Sequence, residues 1–342
     1  MIEIGAVSAA AGATTTVFAA AMSAVLIVLL YPLLKRYALA KPTARSSHRT
    51  PTPQGGGIAV IAAMVVAIGV ALGLRSFAAA LDSPLTSIIA AAVTMACIGA
   101  IADIRPLPVA PRLLLQAMIV AGVIYTLPDH VRIIPLLPWW LEQLLLLLGG
   151  LWFVNLVNFM DGLDWMTVAE VIPLTASLVV LGQAHALPSY GTIVALALGG
   201  AVLGFAYFNR PAAKLFLGDV GSLPIGLLLG WLLLLVAGRG HLVAAMTMPL
   251  YYIADATITL MRRLTRGEPV WQSHRTHFYQ LATDRGFAVT EVVARVFIVN
   301  LGLCALAVMT VIVPGKLSDI VALLGGATLV TCLLVAFAWG KK

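Results

Sequence analysis

Long apolar stretches with almost no charge recur along the 342-residue chain and constrain its fold more than any other feature. Hydrophobic residues make up 61% of the sequence and charged residues only 10%, whereas soluble domains carry about 25% charged residues. A helix needs about 20 predominantly apolar residues to cross a bilayer. The sequence therefore predicts an all-α, polytopic integral membrane protein with about eleven transmembrane helices, or ten because the fourth to sixth stretches are short. The candidate segments are 14–34, 55–74, 84–102, 112–127, 141–157, 166–182, 189–207, 220–237, 242–260, 289–313 and 318–339.

The basic residues are distributed unevenly between the loops. If the N-terminus faces outside, the inner loops and the C-terminus contain 16 of the 21 lysines and arginines, while the outer loops contain four, Arg75, Arg132, Arg239 and Lys316. The positive-inside rule then orients the chain with its N-terminus outside and its C-terminus inside. The net charge of +7 follows from this topology, so no nucleic-acid partner is needed to explain it.

Polar residues concentrate on the predicted cytoplasmic side of one membrane domain. No soluble domain interrupts the apolar segments, so residues 1–342 are interpreted as a single integral membrane domain.

The three cysteines lie inside apolar segments, where packing is a better explanation than disulfides or metal ligation. The loops predicted to carry the chemistry are 35–54, 103–112, 155–165, 208–219 and 261–288.

The motif VNLVNFMDGLDWM, residues 154–166, places four polar residues at the end of an apolar run. Asn155, Asn158, Asp161 and Asp164 recur every three residues, which predicts one polar stripe on a helix. Gly162 is expected to break that helix. Ionised aspartates near lipid cost several kcal/mol and usually have a function. The alternative is a hydrogen-bonded seam between helices.

Two further motifs, at residues 46–57 and 99–116, are predicted on the same side. In SSHRTPTPQGGG, the prolines favour an extended turn and the three glycines allow another chain segment to approach the backbone closely. A simple loop that caps the second helix would explain the same residues equally well. In GAIADIRPLPVAPRLLLQ, Asp103 leaves the third apolar segment near Arg105 and Arg112. A lone aspartate at a helix end is usually a solvated cap, so this motif alone is weak.

The motif FNRPAAKLFLGDVGS, residues 208–222, places Lys214 and Asp219 around an apolar LFLG. Gly218 and Gly221 free the backbone on either side of Asp219. An ordinary loop leading into the next membrane helix is the alternative interpretation.

The loop motif HRTHFYQ completes the set with His274, Arg275, His277 and Tyr279. Isolated histidines are more often surface residues than ligands, but two histidines around an arginine favour a binding role. Carboxylates, carboxamides, histidines and cations at one interface suit a magnesium ion and phosphate oxygens. Phosphoryl transfer needs this combination of positioning and charge neutralisation.

From PTPQGGG to HRTHFYQ, the chain resembles the polyprenyl-phosphate N-acetylhexosamine-1-phosphate transferase family. The ordered motifs NxxNxxDGLD and FLGDVGS carry the resemblance. It implies transfer of a sugar phosphate from a UDP-N-acetylhexosamine to undecaprenyl phosphate with release of UMP, dependent on Mg²⁺ or, as a substitute, Mn²⁺. It also implies a bacterial inner membrane, a cytoplasmic active site and initiation of lipid-linked O-antigen or another surface polysaccharide. A homodimer is left open.

The same resemblance assigns roles to individual residues. Asp219 matches the metal-binding aspartate of the family, Asp161 and Asp164 match its DGxD pair, and Phe216 matches its uracil-stacking aromatic residue. The predicted catalytic residues are Asp103, Asp161, Asp219 and His277, with Asp219 and Asp161 as metal ligands. The predicted substrate-binding residues are Asn155, Asn158, Asp164, Lys214, Phe216, His274, Arg275 and Arg112.

Two positions depart from the family pattern. Ala102 replaces the first aspartate of an adjacent pair, and Tyr279 replaces the second histidine of an HxH motif. The second departure argues against the peptidoglycan enzyme and favours a surface-polysaccharide initiator of the HRxHFYQ type. Two other classes remain open at this point: a transporter with a cation or proton path through the aspartates, and an assembly subunit with inactive motifs.

Overall fold

The computed structural model describes residues 7–40, 51–73, 84–105, 107–127, 132–269 and 274–341. Parts of two predicted cytoplasmic loops, at residues 41–50 and 270–273, lie outside the described residues, and so does Arg75.

Within the described ranges, the chain forms thirteen helices and one two-stranded hairpin. The strands β1 and β2 pair antiparallel, with Leu39 opposite Pro53 and Ala40 opposite Thr52. In chain order the elements are α1 Ala9–Tyr37, β1 Leu39–Ala40, β2 Thr52–Pro53, α2 Gly56–Leu72, α3 Pro84–Ile104, α4 Val109–Tyr125, α5 Trp139–Met160, α6 Met166–Gln183, α7 Ser189–Ala206, α8 Asp219–Ala237, α9 Leu242–Thr247, α10 Leu250–Thr265, α11 Phe278–Asp284, α12 Val289–Ile312 and α13 Lys316–Trp339.

The expectation of an all-α polytopic membrane protein is confirmed. Eight helices in the described ranges are long and apolar enough to cross a bilayer: α1, α3, α5, α6, α7, α8, α12 and α13. The shorter helices α2 and α4 are apolar over 17 residues each. These ten helices correspond to ten of the eleven segments predicted from the sequence.

The remaining predicted segment, 242–260, is not one continuous helix. It divides into the six-residue helix α9 and the longer helix α10, with Pro249 at the junction. Proline lacks the backbone N–H that a helix interior needs and its ring clashes with the preceding turn. Helix α10 then extends to Thr265, beyond the predicted end of the segment.

Helix α8 is the central helix of the bundle. Of the residues in its most apolar stretch, 89% are buried inside the protein, compared with 22% for α1. Two glycines let neighbouring helices approach its backbone: a Cβ on Gly57 of α2 would lie 2.2 Å from the Gly221 Cα, and a Cβ on Gly99 of α3 would lie 2.3 Å from the Asp219 carbonyl oxygen. The start of α8 is therefore fixed between α2 and α3.

Candidate active site

Several predicted loops meet at the start of α8. The segment after β2 binds the segment that precedes α8 through its backbone: the Phe216 N–H donates to the Pro53 carbonyl at 2.9 Å, and the Gly56 N–H donates to the Phe216 carbonyl at 2.9 Å. The Gly57 N–H donates to the Leu217 carbonyl at 2.9 Å. The glycines of PTPQGGG thus hold the chain that leads into Asp219.

Asp219 is the first residue of α8, and its side chain is 27% exposed. Its Oδ1 atom accepts a hydrogen bond from the Asn158 amide at 2.8 Å, and its Oδ2 atom lies 3.5 Å from Nη1 of Arg112. The same Asn158 amide donates to the Ser222 hydroxyl at 2.8 Å. Three residues that the sequence placed in separate motifs therefore form one polar cluster.

Asp103 binds the backbone at the start of α8. One carboxylate oxygen accepts the Asp219 N–H at 3.0 Å and the other accepts the Val220 N–H at 3.1 Å. The first N–H groups of a helix have no partner within the helix and carry a partial positive charge. Asp103 therefore acts as a helix cap supplied by α3, which makes it a positioning residue for Asp219. Its assignment as a general base stays a prediction.

The contacts of Asp103 with the start of α8 determine the expected outcome for Asp103→Asn. The amide can accept only one of the two N–H groups and turns a donor towards the other, so α8 should lose about 1–2 kcal/mol at its start. We expect kcat for UMP release to fall by one to two orders of magnitude while the shape of the pH–rate profile stays that of the wild type. Loss of the acidic limb of that profile in the variant would instead identify Asp103 as the base.

Asp161 and Asp164 lie beyond the end of α5. The helix ends at Met160, before Gly162, so the predicted polar stripe includes only Asn155 and Asn158. The backbone leaves the helical conformation at Asp161, so the helix ends beside Gly162, as the sequence predicted. Asp164 accepts the Ala213 N–H at 2.9 Å, which ties this turn to the 208–219 loop.

Asp161 is the carboxyl with the most unusual environment among these residues. Its pKa is raised to about 7, chiefly by burial. The negative charges of Asp219 and Asp103 act in the same direction, and a hydrogen bond from the Thr167 hydroxyl opposes them. Several acidic groups thus lie close enough to influence one another, and Arg112 forms an ion pair with one of them, Asp219.

Asn155 lies apart from this cluster. It is buried, and its amide donates to the Gln116 side chain of α4 and to the Leu151 carbonyl, both at 2.8 Å. These contacts are those of the interhelical seam considered as the alternative from the sequence. The structure therefore brings Asn158, but not Asn155, to Asp219.

Asn209 was not singled out from the sequence, yet it connects two loops of the site. Its buried side chain accepts the Trp165 N–H at 2.8 Å and donates to the Leu215 carbonyl at 3.0 Å. Trp165 has φ of 64° and its indole donates to the Ala206 carbonyl at 2.6 Å. A single asparagine in FNRP gives no periodicity from which this role could be predicted.

Lys214 and Phe216 occupy the chain immediately before Asp219. Lys214 is exposed, and its backbone N–H donates to the Phe208 carbonyl at 2.9 Å. Phe216 is half-buried and pairs with Gln54 in a parallel bridge. The predicted contacts of both side chains with substrate stay predictions.

The HRTHFYQ segment is anchored to α10 through Asp255. This wholly buried carboxylate accepts the N–H groups of Phe278 at 3.0 Å and Tyr279 at 3.2 Å, which caps α11. The Nδ1 atom of His277 lies 3.3 Å from the same carboxylate. Asp255 therefore fixes the position of His277.

The other two predicted residues of this segment face different neighbours. The His274 ring stacks on the His277 ring with centroids 4.9 Å apart. Arg275 forms an ion pair with Asp284 at the end of α11, with 3.1 Å between Nη2 and Oδ1. Its predicted contact with a diphosphate is therefore in competition with an acidic partner in the chain.

Tyr279 supports the turn that carries Asp161. Its hydroxyl donates to the Phe159 carbonyl at 2.9 Å, and a Cβ on Gly162 would lie 2.1 Å from that hydroxyl. Burial raises the pKa of the Tyr279 hydroxyl well above its ordinary value, so it stays a donor. The sequence suggested that Tyr279 packs or contacts the sugar, and the structure shows packing against the end of α5.

We expect Tyr279→Phe to destabilise the protein by about 1–3 kcal/mol, because the buried Phe159 carbonyl loses its donor. Tyr279→His should cost more, because the shorter ring also leaves a cavity. Thermal unfolding of the purified variants checks this order. An unfolding midpoint for Tyr279→His equal to that of the wild type would show that this packing does not depend on the tyrosine.

The carboxylates at the start of α8 suit a magnesium ion, which also takes water and substrate phosphates as ligands, better than a metal whose ligands all come from the protein. In the described part of the chain, no three His, Cys, Asp or Glu side chains are grouped to hold a metal. Magnesium uses one or two carboxylates and completes its shell with water and substrate phosphates. Asp219, which is partly exposed, can supply one such carboxylate, and Asp161, whose pKa is raised chiefly by burial, would have to bind the ion in its deprotonated form.

Comparison with known proteins matches the region that contains this cluster. Residues 85–237 match the family model described as glycosyl transferase family 4. The chain is 24% identical over 277 residues to a probable undecaprenyl-phosphate N-acetylglucosaminyl 1-phosphate transferase of Bacillus subtilis, covering 75% of this chain and 74% of that protein.

Phospho-N-acetylmuramoyl-pentapeptide-transferases are also similar to this chain. That of Gluconacetobacter diazotrophicus is 32% identical over 180 residues, and that of Mycobacterium leprae is 30% identical over 175 residues. The match spans 47% of the length of each of these two relatives. The matched family region includes the third to eighth helices, with Asp103, Asp161 and Asp219. The resemblance inferred from the sequence motifs is thus confirmed: residues 85–237 match glycosyl transferase family 4, and the chain is similar to proteins named as undecaprenyl-phosphate N-acetylglucosaminyl 1-phosphate and phospho-N-acetylmuramoyl-pentapeptide transferases.

Proposed function

We propose that this protein transfers an N-acetylhexosamine-1-phosphate from a UDP-sugar to undecaprenyl phosphate and releases UMP. The observation that carries the proposal is the cluster at the start of α8, where Asn158 and Arg112 contact Asp219. The names of the relatives supply the substrate class. The acceptor would be the polyprenyl phosphate, and the product would initiate a surface polysaccharide such as O-antigen.

In the proposed reaction, a phosphate oxygen of the lipid forms a bond to the β-phosphorus of the UDP-sugar. The bond from that phosphorus to the bridging oxygen breaks, and UMP leaves with the electron pair. A bound Mg²⁺ would neutralise charge on the diphosphate. Little base catalysis is required because the acceptor's second pKa is near 6.

The protein's own groups would hold the reactants. Asn158 fixes the orientation of the Asp219 carboxylate, and Arg112 lies beside that carboxylate with a planar group suited to phosphate. Asp161, with its pKa raised to about 7, is the group best placed to take the remaining proton. Asp164 and Asn209 join the two loops on which these residues depend.

A direct assay tests this function. Purified protein in vesicles with polyprenyl phosphate, Mg²⁺ and a radiolabelled UDP-N-acetylhexosamine should produce labelled diphosphate-linked lipid and one UMP per lipid. Parallel reactions with UDP-N-acetylglucosamine and UDP-N-acetylgalactosamine would identify the sugar. Uptake of a cation or sugar into sealed vesicles without lipid product would support the transporter alternative.

We propose that the cluster faces the cytoplasm of the bacterial inner membrane. The ends of α3 and α5 and the start of α8 lie together, so the loops at this end share one side. Cysteines introduced singly at exposed Lys214 and at exposed Arg239 should show opposite accessibility to an impermeant maleimide in intact cells, with the Arg239 position labelled. Labelling of the Lys214 position alone would reverse this orientation.

A further inference from the structure

A basic cavity lies between α10 and α11, outside the aspartate cluster. It has a volume of about 230 Å³ and includes the side chains of Arg262, Arg263, Arg266 and Arg285 in its wall, with Glu268 as the acidic member. Four arginines and one glutamate line the cavity and give it an excess of positive charge, which favours an anionic ligand.

The acidic residue of the wall does not neutralise these arginines. Glu268 pairs with Arg263, with 2.9 Å between Oε2 and Nη1. In the part of the chain that the structure describes, no carboxylate lies within salt-bridge distance of Arg262, Arg266 or Arg285. These three arginines thus have no acidic partner among the described residues, although Nη1 of Arg285 donates to the Phe337 and Ala338 carbonyls.

Arg263 provides an independent indication of a ligand. It is 9% exposed, and its Nε–H has no hydrogen-bond partner among the described residues. The other nitrogens of its guanidinium group contact Glu268 and the Pro269 carbonyl. Leaving a buried donor of a charged group unpaired costs free energy, and an oxygen-rich anion in the cavity would satisfy it.

The position of the cavity on α10 indicates that the anion belongs to a lipid. Ile258, Met261 and Leu264 form an exposed apolar row on this helix, with 41%, 61% and 65% of each residue exposed. The exposed Arg262 and Arg266 lie beside that row, four residues apart. An apolar row next to a basic row is typical of a helix at the lipid–water interface.

We propose that the cavity binds the phosphate headgroup of an anionic membrane phospholipid, at a site separate from the reacting lipid. Guanidinium groups bind phosphate oxygens in bidentate fashion. Thr276, next to His277, and Arg285 also line the cavity, so a bound headgroup connects α10 to the segment that carries His277. The lipid would thereby stabilise this segment.

Titration of the purified full-length protein with phosphatidylglycerol in neutral detergent tests the site, with the thermal unfolding midpoint as the readout. The wild type should show a saturable rise. In the double variant Arg262→Gln/Arg266→Gln, the half-saturating concentration should increase about 30-fold, since each arginine near an anionic surface is worth a factor of about five. The matched control is Lys35→Gln/Arg36→Gln, which removes two exposed charges at the end of α1 and should remain within about threefold of the wild type.

Other results would overturn the proposal. An equal increase of the half-saturating phosphatidylglycerol concentration in both double variants would indicate diffuse attraction of lipid to the basic surface. An equal, saturable rise with inorganic phosphate alone would identify a free anion as the ligand. Selective stabilisation by polyprenyl monophosphate, with no response to phosphatidylglycerol, would assign the cavity to the acceptor substrate. If the double variant does not fold, Arg266→Gln alone should shift the half-saturating concentration about fivefold.

Discussion

Asp219→Asn should lower the rate of UMP release by about three orders of magnitude. The substitution retains an oxygen that can accept the hydrogen bond of Asn158, so the cluster should keep its shape. It removes the negative charge that we propose for binding Mg²⁺, and a metal ion supplies several kcal/mol of charge stabilisation in such reactions. Each 1.36 kcal/mol corresponds to a tenfold change in rate.

A second readout separates metal binding from chemistry. Mg²⁺ with UDP should raise the unfolding midpoint of the wild type but not that of Asp219→Asn. Asp319→Asn is the matched control, because Asp319 also lies in the first turn of an apolar membrane helix. Wild-type Mg²⁺-dependent UMP release by Asp219→Asn would remove Asp219 from the site. Loss of UMP release in both Asp219→Asn and Asp319→Asn would indicate a general effect of acidic residues at helix starts.

The apolar helices could be predicted from the sequence because their signal is local. Ten of the eleven proposed segments correspond to apolar helices within the described residues. The segment 242–260 was misjudged because hydropathy responds to composition and not to the break at Pro249. Its second part, α10, carries Asp255, which anchors the HRTHFYQ segment, and two arginines of the basic cavity.

The partners of polar residues could not be predicted, since they depend on how the helices pack. Asn155 and Asn158 are separated by less than one turn of α5, yet one contacts Gln116 and the other contacts Asp219. Both were predicted to bind substrate. A similar case is Asn300 of α12, whose amide donates to the buried Glu170 of α6 at 2.7 Å, a pairing across 130 residues with no motif to indicate it.

The departure at Ala102 also has a structural explanation. Asp103, the retained member of the adjacent pair, uses both carboxylate oxygens to cap α8. Capping of α8 therefore does not require an aspartate at position 102. The raised pKa of Asp161 then makes that residue the candidate for any proton transfer.

Gly99→Ala should reduce kcat by about a hundredfold although Gly99 contacts no substrate. The new Cβ would lie 2.3 Å from the Asp219 carbonyl oxygen and 2.6 Å from the Val220 nitrogen, both of them backbone atoms. Helix α3 would have to move away from α8, and Asp103, one turn further along α3, would move with it. Overpacking of this kind costs about 1–3 kcal/mol, and a displacement of about 1 Å at a reacting centre can cost about 100-fold in rate.

The expected signature is a fall in kcat with little change in KM for the UDP-sugar, because the displaced α3 carries Asp103 away from the backbone N–H groups of Asp219 and Val220 that it binds. Gly122→Ala is the matched control: Gly122 is also inside an apolar helix, but nothing lies within 4 Å of its added Cβ. That control should keep wild-type kcat and gain up to about 1 kcal/mol of stability, since alanine is the better helix former. A Gly99→Ala variant with wild-type kcat would show that the close contact between α3 and α8 is a packing feature and does not set the position of Asp219.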